Sequence, residues 1–348
     1  MKKYFIPSML ALNILGYIPG VNILFSEQMF FQVSAILTIM VMYLIPQVTS
    51  CAKEQNDDGL IKSLSFLVVL AVLNAVVHSF DVYTLNSMIN LFLGVMVVMF
   101  LRCSTYETTK YAKISMVVLT FCVLAIVFLK KVTGYNPLPF ESPEYGAFMG
   151  NEPRVGNLIG IILPVAYSLH PVIALILTIC SVALKELLPI AVFVLLVAIN
   201  SKKWRWYIAG ISIVAVVLMF GHIKGSLIIR VTTWSQAIQS WFNNPVKGVG
   251  FGLYFGGKEN IAVGSDNMIF SSLLKFVTGI GLLSLPWIAY AQSMLKIRFK
   301  PCDSIPLALI LMSTTEYPFE IGKLWYVIAV LLSIWIVERG GYRENSVG

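Results

Sequence analysis

The sequence has few charged residues for its length. Asp, Glu, Lys and Arg together make up 12% of its 348 residues, whereas hydrophobic residues make up 58%. A soluble domain contains about a quarter charged residues, and too little polar surface is present here to cover a soluble core. The composition therefore excludes an ordinary soluble domain and favours a membrane protein.

The sequence also lacks the motifs of metal, redox and nucleotide chemistry. It has five cysteines without a C-x-x-C pair, three widely separated histidines, no P-loop and no dinucleotide fingerprint. None of the cysteines falls in a predicted outside loop, so no disulfide is expected. We therefore predict neither a metal nor a cofactor.

Long apolar blocks are what the sequence has instead. The runs at 115–129 and 210–221 contain no charge at all, which is typical of transmembrane helices. We count about twelve hydrophobic segments, some of them too short to span without tilt. They lie near 5–24, 29–47, 61–79, 83–101, 113–130, 155–170, 172–184, 187–200, 206–222, 267–294, 304–319 and 322–337. The predicted fold is an all-α, polytopic integral membrane protein in which residues 1–348 form a single membrane domain.

The net charge of +8 is better explained by membrane topology than by nucleic-acid binding. No basic patch is large enough for a nucleic-acid footprint, whereas cytoplasmic loops of membrane proteins collect Lys and Arg. With the N-terminus inside, the inside loops hold most of the 25 Lys and Arg residues. Two long loops, 131–154 and 223–266, then lie outside, so we expect function to face outward.

The large outside loop begins with the pattern of a short amphipathic helix and continues as a glycine tract. The apolar residues recur at three- and four-residue steps until an Asn-Asn-Pro sequence; they are Leu227, Val231, Trp234, Ile238 and Trp241. Such a helix lies in the membrane interface, with Arg230 as a snorkelling anchor or as a ligand for an anion. The glycines Gly248, Gly250, Gly252, Gly256 and Gly257 follow; they favour close approach to a ligand or a flexible surface loop.

Polar residues stand where two further helices are predicted to meet the outside. Arg154 and Asn157 open a helix, and helix N-termini attract anions. Lys185 and Glu186 separate two apolar stretches, where a charge is costly unless it is paired, hydrated or functional. Lys185 is therefore either a ligand or the partner of Glu186 in a turn.

Acidic residues lie at two further positions where a predicted helix meets the outside. Asp266 and Asn267 open the helix after the large loop, where Asp266 can act chemically or simply cap the helix. Glu316 and Glu320 lie near the end of a later helix. They can bind sugar hydroxyls or pair with a nearby cation.

The order of these features resembles the O-antigen ligase and O-antigen polymerase superfamily of bacterial envelope glycosyltransferases. The resemblance rests on R-x-x-x-W-x-x-A followed by N-P-x-x-G-x-G-x-G, and it covers roughly 145–285. The matching residues are Arg230, Trp234, Ala237, Pro245, Gly248, Gly250 and Gly252. It implies a multi-pass protein of the bacterial inner membrane whose large periplasmic loop helps to form the active site.

The resemblance also implies an activity and its partners. Members of the superfamily transfer glycan from undecaprenyl diphosphate to an acceptor hydroxyl, without metal or nucleotide, and their arginines bind the diphosphate. Arg230 matches the arginine of the large loop, Lys185 falls where the superfamily has Ser-Arg, and Asn157 matches an asparagine that follows Asn-Pro. The implied partners are the bilayer, a carrier-linked glycan as donor and acceptor, and a chain-length regulator; no nucleic acid is expected.

One departure favours the polymerase branch. Ligases usually carry a histidine before the helix that follows the large loop, whereas this chain has Asp266-Asn267 there. We assign Asp266 as the first candidate for the catalytic base and His222 as the second. Arg154 joins Arg230 and Lys185 as a diphosphate ligand. The residues assigned to glycan binding are Asn157, Trp234, Asn267, Glu316 and Glu320.

Three other functions remain open from the sequence. A ligase or protein glycosyltransferase of the same superfamily would use the same residues. A transporter of a small anion would also need outward-facing cations, although no internal repeat is evident. A non-catalytic assembly partner would tolerate the loss of single charges.

Overall fold

The structure, a computed structural model, describes residues 2–16, 23–43, 59–78, 82–102, 106–135, 152–201, 228, 231–248, 250, 272–315 and 322–347. Within these residues the regular secondary structure is entirely helical, which confirms the all-α prediction for the part of the chain described. The helices are α1 (Lys2–Leu15), α2 (Ile23–Tyr43), α3 (Gly59–His78), α4 (Val82–Leu101), α5 (Tyr106–Thr133), α6 (Glu152–Leu169), α7 (Pro171–Ala183), α8 (Leu188–Asn200), α9 (231–243), α10 (Ser272–Ile280), α11 (Ser284–Leu295), α12 (Ser304–Thr315) and α13 (Gly322–Val347).

Two described helices are long and apolar enough to cross a membrane, judged by length and composition. They are Gly59–His78 and Glu107–Thr133, and several other apolar helices are shorter. About 20 apolar residues are needed to span the hydrocarbon layer without tilt or thinning. The predicted segment at 206–222 lies outside the described residues.

Helices α6 and α13 form the centre of the bundle. Helix α6 packs against α5, α7, α8 and α12, and α13 packs against α1, α2, α4, α5 and α12. Residues 155–166 of α6 and 324–335 of α13 are apolar on most sides and correspondingly buried, as expected for a helix surrounded by others. At Gly160 a Cβ would lie 2.7 Å from Met312 Cε, so the missing side chain lets α12 approach α6 closely.

The ends of α5, α6 and α13 meet at one end of the bundle, which we call the basic end. Lys113 forms an ion pair with Glu338 and donates to Ser168 Oγ at 3.0 Å. Next to Glu338, Arg339 donates to the carbonyl oxygen of Leu295 at 2.6 Å and lies 4.0 Å from buried Asp303. Hydrogen bonds and ion pairs thus satisfy charges that would be costly to bury alone.

Helix α3 runs from the basic end to the opposite end of the bundle. A Cβ at Gly59, its first residue, would lie 2.8 Å from the carbonyl oxygen of Met294. At the other end of α3, Asn74 and His78 contact the backbone of Lys247. The opposite end of the bundle therefore carries the segment that follows α9.

The predicted long helix at 267–294 is wrong in one respect, because a one-turn 3-10 helix at Gly281–Leu283 separates α10 from α11. Gly281 has φ +75°, a left-handed conformation that ends a regular α-helix and that glycine adopts without strain. A Cβ there would also lie 2.8 Å from the carbonyl oxygen of Pro245. The break thus provides the surface on which the large loop docks.

Candidate functional site

The turn between α7 and α8 holds Lys185 in an unusual backbone conformation. The N–H of Lys185 donates to the carbonyl oxygen of Val182, and that of Glu186 donates to Ser181, both at 2.9 Å. This pattern is a Schellman motif, in which the residue after the helix cap is left-handed and is usually glycine. Lys185 has φ +62° and an exposed side chain. A left-handed non-glycine residue costs about 1–2 kcal/mol.

A glycine in α6 brings this turn against the first turns of that helix. A Cβ at Gly156 would lie 2.7 Å from Glu186 Cγ and 3.0 Å from Glu186 Oε2. Only a residue without a side chain leaves room for Glu186 at this position. Gly156 lies between the predicted residues Arg154 and Asn157 in sequence, so the Lys185-Glu186 turn packs against the part of α6 that carries them.

Asn157 is buried in α6 with part of its amide unsatisfied. Its relative exposure is 2%, and its Nδ2 donates to the carbonyl oxygen of Pro153 at 3.1 Å in its own helix. Its Oδ1 is buried and accepts no hydrogen bond from any residue that the structure describes. A buried acceptor left in this state costs about 1–3 kcal/mol. A hydroxyl or N–H donor would satisfy this oxygen.

Replacement of Asn157 by leucine separates a structural role from a binding role. Leucine has a similar volume and removes the unsatisfied oxygen, so we expect the apparent melting temperature to stay the same or to rise. If Asn157 binds a ligand, the same variant should lose activity. A clear fall in melting temperature would instead show that the amide serves the fold.

Helix α9 confirms the predicted helix in the large loop. Its apolar residues, however, do not all lie on one packed face as predicted: some are packed and others are exposed. Ala237 is buried, and Trp234 and Leu274 pack beside it, so this side of α9 faces α10. Val231 and Ile238, predicted on the same face, are exposed. Part of the Trp234 side chain, which the sequence assigns to glycan binding, is therefore covered by packing between helices.

The exposed side of α9 is apolar as well. Three exposed apolar residues recur at steps of seven and four positions, which places them along one stripe of the helix; they are Val231, Ile238 and Phe242. An exposed apolar stripe beside a packed face is typical of a helix that rests on a lipid surface.

The glycine tract after α9 docks on the break between α10 and α11. We call this junction the clasp: residues 244–248 and 250 paired with 278–282. Gly250 N donates to the carbonyl oxygen of Gly279 at 3.0 Å, and Leu282 N donates to that of Pro245 at 2.8 Å. Backbone therefore meets backbone directly across the clasp.

The described glycines of the tract serve this contact rather than the approach of a ligand. Gly248 has φ +69°, and a Cβ there would lie 2.6 Å from both the carbonyl oxygen of Thr278 and the nitrogen of Gly281, and would also meet the carbonyl oxygen of Gly279. A Cβ at Gly281 would lie 2.5 Å from Val246 O. The expectation of a ligand cradle or a flexible loop is thus corrected for Gly248, because neighbouring backbone fills the space.

Two residues of α3 that the sequence did not single out hold the clasp. Asn74 Nδ2 donates to the carbonyl oxygens of Lys247 at 2.9 Å and of Gly279 at 3.3 Å. His78 Nε2 lies 2.9 Å from the same Lys247 oxygen. The feature of the sequence that could have identified Asn74 is an asparagine inside an otherwise apolar run, because a polar side chain at such a position usually has a polar partner.

The structure thus brings together two segments that carry predicted site residues. The contact of Gly156 with Glu186 joins the part of α6 that carries Arg154 and Asn157 to the turn that carries Lys185, and Trp234 lies on α9 next to α10. Six assigned residues lie outside the described residues: His222, Arg230, Asp266, Asn267, Glu316 and Glu320. Their roles stay predictions.

No model of a protein family matches the chain, and no curated protein matches it either.

Proposed function

We propose that the chain is a polytopic protein of the bacterial inner membrane. Support comes from apolar side chains on the exposed faces of its helices, since a soluble protein rarely exposes large contiguous apolar patches. On α3, one of the two helices long enough to span, the exposed large residues include Val69, Leu73, Val76 and Val77. Lipid would cover these side chains, and the shorter helices would cross by tilting or by thinning the bilayer.

The proposed orientation places the basic end in the cytoplasm and the clasp in the periplasm. Lys113 and Arg339, which the sequence assigns to inside loops, both lie at the basic end. One side of the clasp, residues 244–248 and 250, belongs to the loop 223–266, assigned to the outside, and lies at the other end of α3. The exposed apolar stripe of α9 would then rest on the outer surface of the bilayer.

We further propose that the protein polymerises glycan repeat units carried on undecaprenyl diphosphate. The observation that carries this proposal is the contact of Glu186, the neighbour of Lys185 in sequence, with Gly156, the neighbour of Asn157. Lys185 and Asn157 both have features that lower folding stability, and the resemblance assigns both to the site. Unfavourable features of this kind cluster at functional sites.

The proposed residues have complementary roles in glycan transfer. The acceptor hydroxyl oxygen forms a bond to the anomeric carbon of the donor, and the bond from that carbon to the diphosphate oxygen breaks. Arg230, Lys185 and Arg154 would neutralise the departing diphosphate, which leaves as undecaprenyl diphosphate. Asp266 would take the hydroxyl proton, with His222 as the alternative. Asn157 Oδ1 would accept a hydrogen bond from a sugar hydroxyl.

Arg230 provides a test of the diphosphate assignment. Arg230→Ala should stop chain growth while the protein still inserts. Arg230→Lys should make shorter chains, because a single ammonium replaces a planar, forked guanidinium. Chain lengths are read from a polysaccharide gel after complementation of a deletion strain. Lys247→Ala is the matched control, since it removes an exposed cation from the same loop and keeps the backbone carbonyl that the clasp uses. Normal polymer from Arg230→Ala would show that Arg230 is a membrane anchor instead.

A reaction with purified components tests the proposed activity. The protein in detergent is incubated with undecaprenyl diphosphate carrying one repeat unit, in the presence of EDTA and without nucleotide. We expect products two or more repeat units long and released undecaprenyl diphosphate. Transfer only to a different acceptor, such as lipid core, would indicate the ligase alternative. No glycan transfer, together with uptake of an anion by proteoliposomes, would indicate a transporter.

A further inference from the structure

A short loop near the basic end presents three cations and an aromatic ring. The loop comprises residues 296–300, between α11 and the 3-10 helix Pro301–Asp303 that precedes α12. Lys296, Arg298, Phe299 and Lys300 are all exposed, and the relative exposure of Phe299 is 63%. None of the three cations forms an ion pair with a residue in the described part of the chain. The proposed glycan transfer does not use them.

The loop lies level with the end of a helix that is long enough to span a membrane. A Cβ at Gly59, the first residue of α3, would lie 2.8 Å from the carbonyl oxygen of Met294, two residues before Lys296. Helix α3 has 20 residues, so its ends would reach the headgroup layers of a bilayer. Ile297 packs against the main apolar core, which keeps the loop against the bundle. The loop therefore stands at the depth of the lipid phosphates.

Side chains from outside the loop hold its backbone in place. The carboxylate of Asp303, which has a relative exposure of 1%, accepts a hydrogen bond from the N–H of Arg298 at 2.8 Å. The guanidinium of Arg339 donates to the carbonyl oxygens of Leu295 at 2.6 Å and of Lys296 at 3.3 Å. Because the backbone is fixed in advance, a ligand of this loop does not have to order it.

The exposed groups of the loop match the headgroup layer of an anionic membrane. Positions 291–302 contain no Asp or Glu, so the loop carries only positive charge. Anionic lipids attract Lys and Arg that lie close to the membrane surface, and aromatic rings are favoured at the boundary between water and lipid. A free anion in solution offers no apolar phase to Phe299, whereas a bilayer offers phosphates and acyl chains together.

We propose that residues 296–300 form a binding surface for anionic phospholipids of the cytoplasmic leaflet. Lys296, Arg298 and Lys300 bind the lipid phosphates, and Phe299 inserts beside the acyl chains. This proposal rests on the proposed membrane location and orientation but not on the proposed glycan transfer. The general excess of Lys and Arg in cytoplasmic loops depends on their number, whereas this surface depends on the cations of one loop and on the ring between them.

Lipid binding to the purified full-length protein tests the proposal. Native mass spectrometry from detergent that contains phosphatidylglycerol or phosphatidylcholine measures how tightly each lipid is bound. The triple variant Lys296→Gln, Arg298→Gln, Lys300→Gln removes the charges, whereas Phe299→Ser removes the ring and keeps all three cations. The single variants Lys300→Gln and Lys110→Gln form a matched pair, because Lys110 is an exposed cation of α5 near the same end of the bundle.

We expect the wild-type protein to bind phosphatidylglycerol more tightly than phosphatidylcholine, with a preference that falls as salt screens the charges. Each lost cation of the loop should weaken the binding of phosphatidylglycerol about fivefold, and the triple variant should lose roughly a hundredfold. Phe299→Ser should also weaken this binding, and Lys110→Gln should leave it unchanged.

Three results would overturn the proposal. The first is a triple variant that keeps the wild-type preference for phosphatidylglycerol. The second is an equal effect of Lys110→Gln and Lys300→Gln, which would show that overall charge and not this loop attracts the lipid. The third is displacement of phosphatidylglycerol by inorganic phosphate at matched ionic strength, which would indicate a site for soluble anions. If the lipid preference is found but no polymer is made, the proposed glycan transfer alone fails.

Discussion

Gly248→Ala is expected to destabilise the protein severely. The added Cβ would meet backbone atoms of Thr278, Gly279 and Gly281, and backbone atoms cannot rotate away as a flexible side chain can. The left-handed conformation at φ +69° adds about 1–2 kcal/mol for alanine, and overpacking adds about 1–3 kcal/mol. We therefore expect a loss of roughly 2–5 kcal/mol, with low yields of folded protein.

Gly134→Ala is the control that isolates the clasp from backbone strain. Gly134 has φ +70°, almost the same as Gly248, but apart from its chain neighbours no atom of the residues that the structure describes lies within 4 Å of the position that its Cβ would take. Gly134→Ala should lose only the stability that a left-handed backbone costs alanine, about 1–2 kcal/mol. The measurement is the apparent melting temperature of detergent-purified protein, followed by tryptophan fluorescence. Equal melting temperatures for Gly248→Ala and Gly134→Ala would refute the tight contact across the clasp.

Lys185→Gly is expected to make the protein more stable and inactive. Glycine adopts φ +62° without steric strain and is the usual residue after a Schellman cap, so about 1 kcal/mol of stability should be gained. The cation assigned to the diphosphate is lost at the same time. Removal of one such electrostatic contact reduces the rate by roughly 10²–10³. Lys185→Arg should keep the charge and the activity.

The chain offers a matched control for this prediction. Lys296 also follows a helix with a left-handed backbone, at φ +45°, but it lies at the end of α11 near the basic end. Lys296→Gly should gain similar stability and keep full polymer. Melting temperature and polymer length are measured on both variants. Normal polymer from Lys185→Gly would show that Lys185 is only a surface residue of the turn.

Much of the helical framework could be predicted from sequence. Apolar blocks such as 113–130 and 322–337 are long and bounded by charged residues, so they correspond to α5 and α13. The break at Gly281 could not be predicted in the same way. Its cause is a contact with Gly248, 33 positions earlier, and local patterns carry no information about such pairing.

The candidate site was predictable in its residues but not in its arrangement. A charge between two apolar stretches identified Lys185, and its sequence position identified Asn157. The packing of the Lys185 turn on the helix that carries Asn157 depends on Gly156 and Glu186, since the absence of a side chain in one helix admits a carboxylate from a turn. The face of α9 was predicted only in part, because a wide apolar arc does not reveal which half meets the bundle and which half is exposed.

The most direct measurement of the central claim is a gel of surface polysaccharide from a strain that lacks this protein. The account predicts loss of long chains, with lipid core that carries a single repeat unit retained, and restoration by the wild-type protein but not by Arg230→Ala. A normal ladder of long chains would contradict the claim that the protein polymerises glycan. Loss of every repeat unit from the lipid core would also contradict it, and would assign the protein to the ligase branch.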